Sequence, residues 1–286
     1  MPIFSVGDLA DSWASNRVWR QHWHKTASPV VSGSGFWLDL SMAAGMPKYN
    51  PYVGNALEFT PLIGNSNNGI NAGLGGDSYI TRYNLGGGGT ASGIWPGNAM
   101  LLDYVGFYPL VDMDSTDVQV FDNTNFVSRY SSGMRVMPVT TIPQTAATPT
   151  EVRLTLVGSN NREVVSRFWI NTASSAGNIN CFSSATGATS GFATPFVPLS
   201  YGVFDVYQLK SVEVLSSSGG FCAFVLVRPI MESVVYDTIT PYEIEFPRNK
   251  VPPRVSSGAY LNHIVCPMSA GTASGITRGH IVFARE

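Results

Sequence analysis

Three groups of residues in this chain have types and spacing that could do chemistry. His22 and His24 flank Trp23, a spacing that puts both imidazoles on one face of a strand and could offer two nitrogen ligands to a metal. Asp112, Asp114, Asp117 and Asp122 crowd the segment DMDSTDVQVFD, and a hard cation such as calcium needs several oxygens close together. A run of glycines, GGGGTASG from Gly86, has the composition of a phosphate-cradling loop. None of the three is complete. No H-E-x-x-H pattern and no third ligand accompany the histidines. The acidic segment lacks glycine at the sixth position of a calcium loop and carries Asn123 at the twelfth, where Glu is needed, so it reads as a turn whose Asp side chains accept backbone N–H groups. The glycine run has no following Lys-Ser/Thr pair and sits in no strand-to-helix context. Gly33-Ser34-Gly35 and Ser216–Gly220 contain the letters of a nucleophile elbow, but no helix follows either. The three cysteines, Cys181, Cys222 and Cys266, are odd in number and widely separated, which excludes a disulfide framework or a C-x-x-C knuckle and reads as small buried hydrophobes. The expectation is a non-enzyme: the sequence assigns no catalytic, cofactor-binding or metal residue and no cofactor.

Composition points the same way. Charged residues make up 13% of the 286, against about 25% in an ordinary soluble domain. A surface poor in charge and rich in Gly, Ser, Thr, Asn and aromatics suits contact with other protein. With a net charge of -2, four lysines (Lys25, Lys48, Lys210, Lys250) and scattered arginines, there is no basic stripe to neutralise phosphates, so direct nucleic-acid binding is not expected. No basic-then-apolar leader opens the chain and no window approaches the ~18 apolar residues of a membrane span, so no membrane partner is expected.

The elements that would carry a function are mostly strands. Ser5 and Asp8 stand in capping-box relation before Leu9 and Trp13, which predicts one short N-terminal helix. Short runs rich in Val, Ile, Phe and Tyr follow, closed by Gly, Pro, Asn or Ser: Gly35–Leu40, Leu57–Leu62, Ser78–Tyr83, Met100–Tyr108, Gln119–Phe121 and Met134–Thr141. The second half adds Glu151–Val157, Val164–Asn171, Leu209–Leu215, Phe221–Arg228, Ala259–Val265 and His280–Ala284. Alternation in Glu151–Val157 places Val152, Leu154 and Leu156 on a buried face, whereas the unbroken apolar run Cys222–Val227 requires cover on both faces. The fold class expected is mainly β, an antiparallel sandwich or jelly-roll-like architecture with long Gly/Ser-rich loops at Gly64–Asp77, Gly86–Gly97 and Ala173–Ala193. Residues 1–28 read as a helix and arm, residues 29–286 as one β-rich domain, with a Pro-stiffened extended arm at 246–258. Candidate contact segments are Trp13–His24, Gly64–Asp77, Ala173–Ala193 and Lys250–Val255.

Five segments, AAGMPKYNPYVGNALEFTPL, MLLDYVGFYPLVDMD, SRYSSGMRVMPVTT, FCAFVLVRPIMESV and the terminal GHIVFARE, together resemble a family of uncharacterised, head-associated virion proteins of tailed bacteriophages. The resemblance spans most of the chain and implies a β-rich component of the phage particle, located in the virion. It transfers no catalytic or binding residue. The capsid shell fold of tailed phages needs a long spine helix, and no 20-residue amphipathic stretch is present. The expected function is a structural virion protein, a decoration or cement protein that locks shell subunits through large interfaces, with the major capsid protein or other virion proteins and a second and third copy of itself, a trimer, as partners. A self-assembling jelly-roll capsid protein is one alternative, weakened because residues 1–24 hold only Arg17 and Arg20 as basic groups. A surface glycan-binding module using Trp19 or Trp95 and the Asn65–Asn71 loop is the other.

Overall fold

The computed structural model describes residues 5–29, 35–64, 69–71, 76–88, 97–145, 148–171, 174–190, 193–235, 242–245, 251–267 and 276–285. In chain order its elements are α1 (Val6–Ala14), β1 (Val18–Lys25), β2 (Trp37–Asp39), β3 (Gly45–Met46), β4 (Thr60–Pro61), β5 (Ile70–Asn71), β6 (Ser78–Gly88), β7 (Gly97–Asp112), β8 (Gln119–Val120) and β9 (Arg135–Ile142). There follow β10 (Thr150–Val157), β11 (Glu163–Ile170), β12 (Asn178–Ile179), α2 (Ala185–Ser190), β13 (Gln208–Val214), β14 (Phe221–Val235), β15 (Tyr242–Glu245), β16 (Arg254–Val255), β17 (Tyr260–Pro267) and β18 (Ile276–Arg285). The fold is mainly β, built from antiparallel sheets with one short N-terminal helix. Each of the twelve apolar runs read from the sequence contains or overlaps a strand.

The helix starts where its cap directs. Ser5 Oγ accepts the Asp8 backbone N–H at 3.1 Å, and the Asp8 carboxylate reaches back to the Ser5 N–H at 2.9 Å, so two orphan donors of the first turn are satisfied reciprocally. No helix among the described residues is long and apolar enough to cross a membrane.

Three sheets are joined by two hydrophobic clusters. The middle one runs β4-β7-β14-β9-β12-β2-β17-β5, and an additional β7–β17 pairing closes β7, β14, β9, β12, β2 and β17 into a ring. A four-stranded sheet, β11-β10-β13-β8, lies on one side, and one hydrophobic cluster joins Val152, Leu154 and Leu156 of β10 with Phe224 and Leu226 of β14. On the other side is the sheet β15-β6-β18-β1-β3, with β16 also paired to β6, and a second cluster joins Trp23, Tyr83 and Phe283 with Leu101 and Leu261. Position in the sheets explains the two hydrophobic patterns. β10 has one face covered and alternates buried with half-buried residues, whereas Cys222–Val227 of β14 lies between β7 and β9 in the closed ring, belongs wholly to the first cluster and is buried throughout. β14 also starts at a demanding corner: Gly220 adopts φ +72°, and a Cβ there would stand 2.4 Å from the Pro143 carbonyl oxygen.

Several segments are more ordered than their composition suggests. Ala173–Ala193, read as a loop, contains β12 and the six-residue helix α2. Ile70–Asn71, inside the Gly64–Asp77 loop, pairs with β17. In the arm at 246–258, Arg254–Val255 pairs with Tyr79 and Ser78 of β6, and Val255 is buried; residues 246–250, including Lys250, lie outside the described residues. Within the segment 1–28 read as helix and arm, β1 pairs along its whole length with β18 and so belongs to the sheet. The reason is common to all four. Backbone hydrogen bonds to a long neighbouring strand stabilise a segment whose own side chains do little.

Candidate functional site

β1 puts His22 and His24 on its exposed face and buries Trp23 between them, as their spacing requires. His280 of β18 faces His22 with ring centroids 5.8 Å apart, but no group of three His, Cys, Asp or Glu among the described residues could hold a metal. The acidic segment forms turns: Asp112 Oδ1 accepts the Asp114 N–H at 2.9 Å and Asp122 Oδ1 the Thr124 N–H at 2.8 Å. Cys181 and Cys222 are buried free thiols, and Cys266 is partly exposed. Burial pushes the thiols of Cys181 and Cys222 up to about 12, so both are inert at neutral pH. Most of the glycine run, residues 89–96, with Trp95, lies outside the described residues.

The polar chemistry lies elsewhere, in two buried carboxylates. Asp39, at the end of β2, accepts four hydrogen bonds: the Ser41 N–H at 2.8 Å, Ser41 Oγ at 2.8 Å, Tyr104 Oη at 2.7 Å, and Tyr52 Oη. Burial raises its pKa in spite of these donors. Near it Lys25 Nζ, itself buried, donates to the Pro47 carbonyl at 2.6 Å and the Ala43 carbonyl at 3.2 Å; desolvation lowers its pKa to about 8, with the charge of Asp39 opposing.

Asp103, in the middle of β7, is the second. It accepts Arg129 Nε at 2.8 Å and Arg129 Nη2 in a bidentate fork, Tyr130 Oη at 2.7 Å and the Tyr260 N–H at 2.9 Å. Arg129 gives two further donors to the carbonyls of Leu62 and Tyr104, both at 2.8 Å. Burial pulls the Arg129 pKa down, but hydrogen bonding and charge from Asp103 more than offset it, and the guanidinium stays protonated. Tyr130, whose pKa burial pushes up to about 12, carries the Arg228 guanidinium 4.2 Å above its ring. Arg129, Tyr130 and Arg228, with Asp103 buried behind them, line a pocket of about 460 Å3 that Asp77 before β6 and the residues around β16 complete. Sequence reading missed it because Asp103, Arg129 and Arg228 are far apart in the chain. A signal existed: Asp103 interrupts MLLDYVGFY and Arg228 ends CAFVLVR, and a charge inside a fully apolar strand demands a partner.

His263 of β17 is buried against Trp23, ring centroids 4.3 Å apart, with its Nε2 unpartnered. Desolvation, aided by the nearby Lys25 charge, lowers its pKa to about 3. The unfolded chain therefore binds a proton below pH 6.5 that the folded chain refuses, so stability falls as pH drops from 6.5 toward 3. Urea denaturation is expected to show a loss of about 2–3 kcal/mol from this group between pH 7 and pH 4.5. In the His263→Phe variant that part of the pH dependence disappears; an unchanged profile would assign the acid sensitivity elsewhere.

The outer face of the four-stranded sheet combines exposed valines with paired charges. Val118, Val120 and Val165 are exposed on it, beside a charge ladder in which Arg153 bridges Glu151 and Glu213, and Arg167 also meets Glu151. Next to it, in the turn before β13, Tyr201 is 97% and Phe204 82% exposed. That turn is held by Ser200 Oγ donating to the Val165 carbonyl at 2.7 Å and by Asp205 accepting Ser159 Oγ at 2.7 Å and the Gly133 N–H at 2.8 Å. Of the contact segments read from sequence, Trp13–His24 leaves Trp13 exposed, but Trp19 stacks on Phe283 at 5.5 Å and Trp23 is buried. No family model matches the chain, and neither a curated protein nor a solved structure matches it.

Proposed function

We propose that the protein is a structural component of a tailed-bacteriophage virion, a decoration or cement protein that binds the major capsid protein and associates with itself as a trimer. The observation that carries this reading is the pair Tyr201 and Phe204, large apolar side chains almost fully exposed on a turn pinned by hydrogen bonds at both ends. Exposed aromatics on a fixed backbone are what an interface uses: much contact area, with little ordering entropy left to lose. The neighbouring valine face, rimmed by alternating charges, extends the same surface. The low overall charge and the resemblance of five segments to head-associated virion proteins support the same reading.

Light scattering of the purified protein, alone and with shells lacking it, tests this. A trimer that binds shells at fixed stoichiometry and raises their melting temperature is the expected result. A Tyr201→Ser, Phe204→Ser double variant is expected to keep its unfolding free energy within about 0.5 kcal/mol, since both side chains are exposed, yet to bind shells more than tenfold more weakly, because a hot-spot aromatic is worth about 2 kcal/mol or more. A monomer that ignores shells would overturn the proposal, and spontaneous growth into closed particles would make the protein the shell subunit instead.

A further inference from the structure

The pocket beside Asp103 has features that assembly does not use. Its base is rigid: the fork between Arg129 and Asp103, and the Tyr130 hydroxyl on the same carboxylate, leave neither side chain free to turn. Above Tyr130 the Arg228 guanidinium carbon stands 4.2 Å from the ring centroid, a cation–π contact, and it has no ion-pair partner among the described residues. Across the opening Arg254 pairs with Asp77. Among the described residues, three guanidinium groups stand against two carboxylates, Asp103 and Asp77, which leaves one positive charge in excess, placed at Arg228. That balance suits a ligand carrying a single negative charge, and the Asp77 carboxylate at the rim works against a dianion.

Size and lining narrow the ligand further. At about 460 Å3 the cavity falls within the range of small-ligand sites, about 300–1,000 Å3, and a carboxylate alone would fill little of it. Two pairs of serines, Ser131 with Ser132 and Ser256 with Ser257, complete the lining; Ser256 also hydrogen-bonds Tyr130, and Ser257 Oγ accepts the Gly76 N–H at 3.4 Å. The loop bearing the first pair is fixed, because the Gly133 N–H donates to Asp205 at 2.8 Å. A ligand that matches has one carboxylate for the Arg228 fork and several hydroxyls for the serines.

We propose that this pocket binds a sugar acid, a hexuronate or sialate unit of an acidic polysaccharide, with its carboxylate on Arg228 and its hydroxyls on the serine walls. The proposal goes beyond the assembly role and is read on the isolated protein, so failure of one leaves the other standing. Titration calorimetry with galacturonate, glucuronate and N-acetylneuraminate, against galactose, acetate and inorganic phosphate, tests it. At least one sugar acid is expected to bind at least tenfold more tightly than galactose, acetate or phosphate. Arg228→Gln is expected to weaken that binding about tenfold or more, as loss of a charge-assisted fork does. Ser132→Trp, at an exposed position on the rim, is expected to block binding without disturbing the fold, and it decides the matter if Arg228→Gln does not fold. No binding of any sugar acid, equal binding of phosphate or acetate, or binding that survives Ser132→Trp would each overturn the proposal.

Discussion

Replacing Asp103 with alanine is expected to lower the unfolding free energy by about 3–5 kcal/mol, the range for removing one partner of a buried ion pair. The mechanism is specific. Asp103 is buried and accepts from Arg129, Tyr130 and the Tyr260 N–H; without it Arg129 keeps a protonated, mostly buried guanidinium with only the carbonyls of Leu62 and Tyr104 to face. Tyr130 loses its anchor as well, and with it the platform under Arg228. The variant therefore couples two readouts: a lower denaturation midpoint, and weaker binding of any ligand that Arg228 holds. Arg129→Met is the informative partner, because it removes the buried cation and leaves Asp103 with Tyr130 and Tyr260. A loss for Asp103→Ala below about 1 kcal/mol would mean that water reaches the site and solvates the guanidinium.

Phe224→Ala is expected to cost a comparable amount, about 3–5 kcal/mol, for a different reason. Phe224 lies on β14 where the middle sheet meets the four-stranded sheet, with its ring 5.9 Å from that of Phe121 and 6.2 Å from that of Phe168. Truncation removes the contact between layers and leaves a cavity that two long strands, β7 and β9, prevent from collapsing. Urea unfolding with an unchanged m-value and a lower midpoint is the expected signature. Val165→Ala, on the exposed face of the four-stranded sheet, is the control and is expected to stay within about 0.5 kcal/mol.

Local pattern made the β class legible. Side chains alternate across a strand, so Val152, Leu154 and Leu156 declared the buried face of β10, and the unbroken run Cys222–Val227 declared a strand covered twice. The capping relation of Ser5 and Asp8 announced α1 for the same reason: the atoms that satisfy each other lie within one turn. β1 was harder to read, because RQHWHK alternates polar residues with one tryptophan and the strand gains its place from eight residues of β18 at the far end of the sequence. The six-residue helix in Ala173–Ala193 and the pairing of Arg254–Val255 with β6 were likewise invisible in Ser-, Gly- and Pro-rich segments, whose order comes from neighbours and not from propensity.

What the sequence by itself determined is the material of the protein: strands in number, their buried faces, one capped helix, and a chain with about half the usual share of charged residues. Only the tertiary structure decided which of those residues work together. Asp103 and Arg129 form one ion pair across 26 positions, Arg228 joins them through the Tyr130 ring, and Tyr201 and Phe204 stand out beside Val165 because a hydrogen bond from Ser200 brings the turn to that strand. The physical reason is range. Periodicity and capping are written in neighbours a few residues apart, whereas the partner of a buried charge or an exposed aromatic is chosen by strand pairing between segments that the order of residues does not reveal.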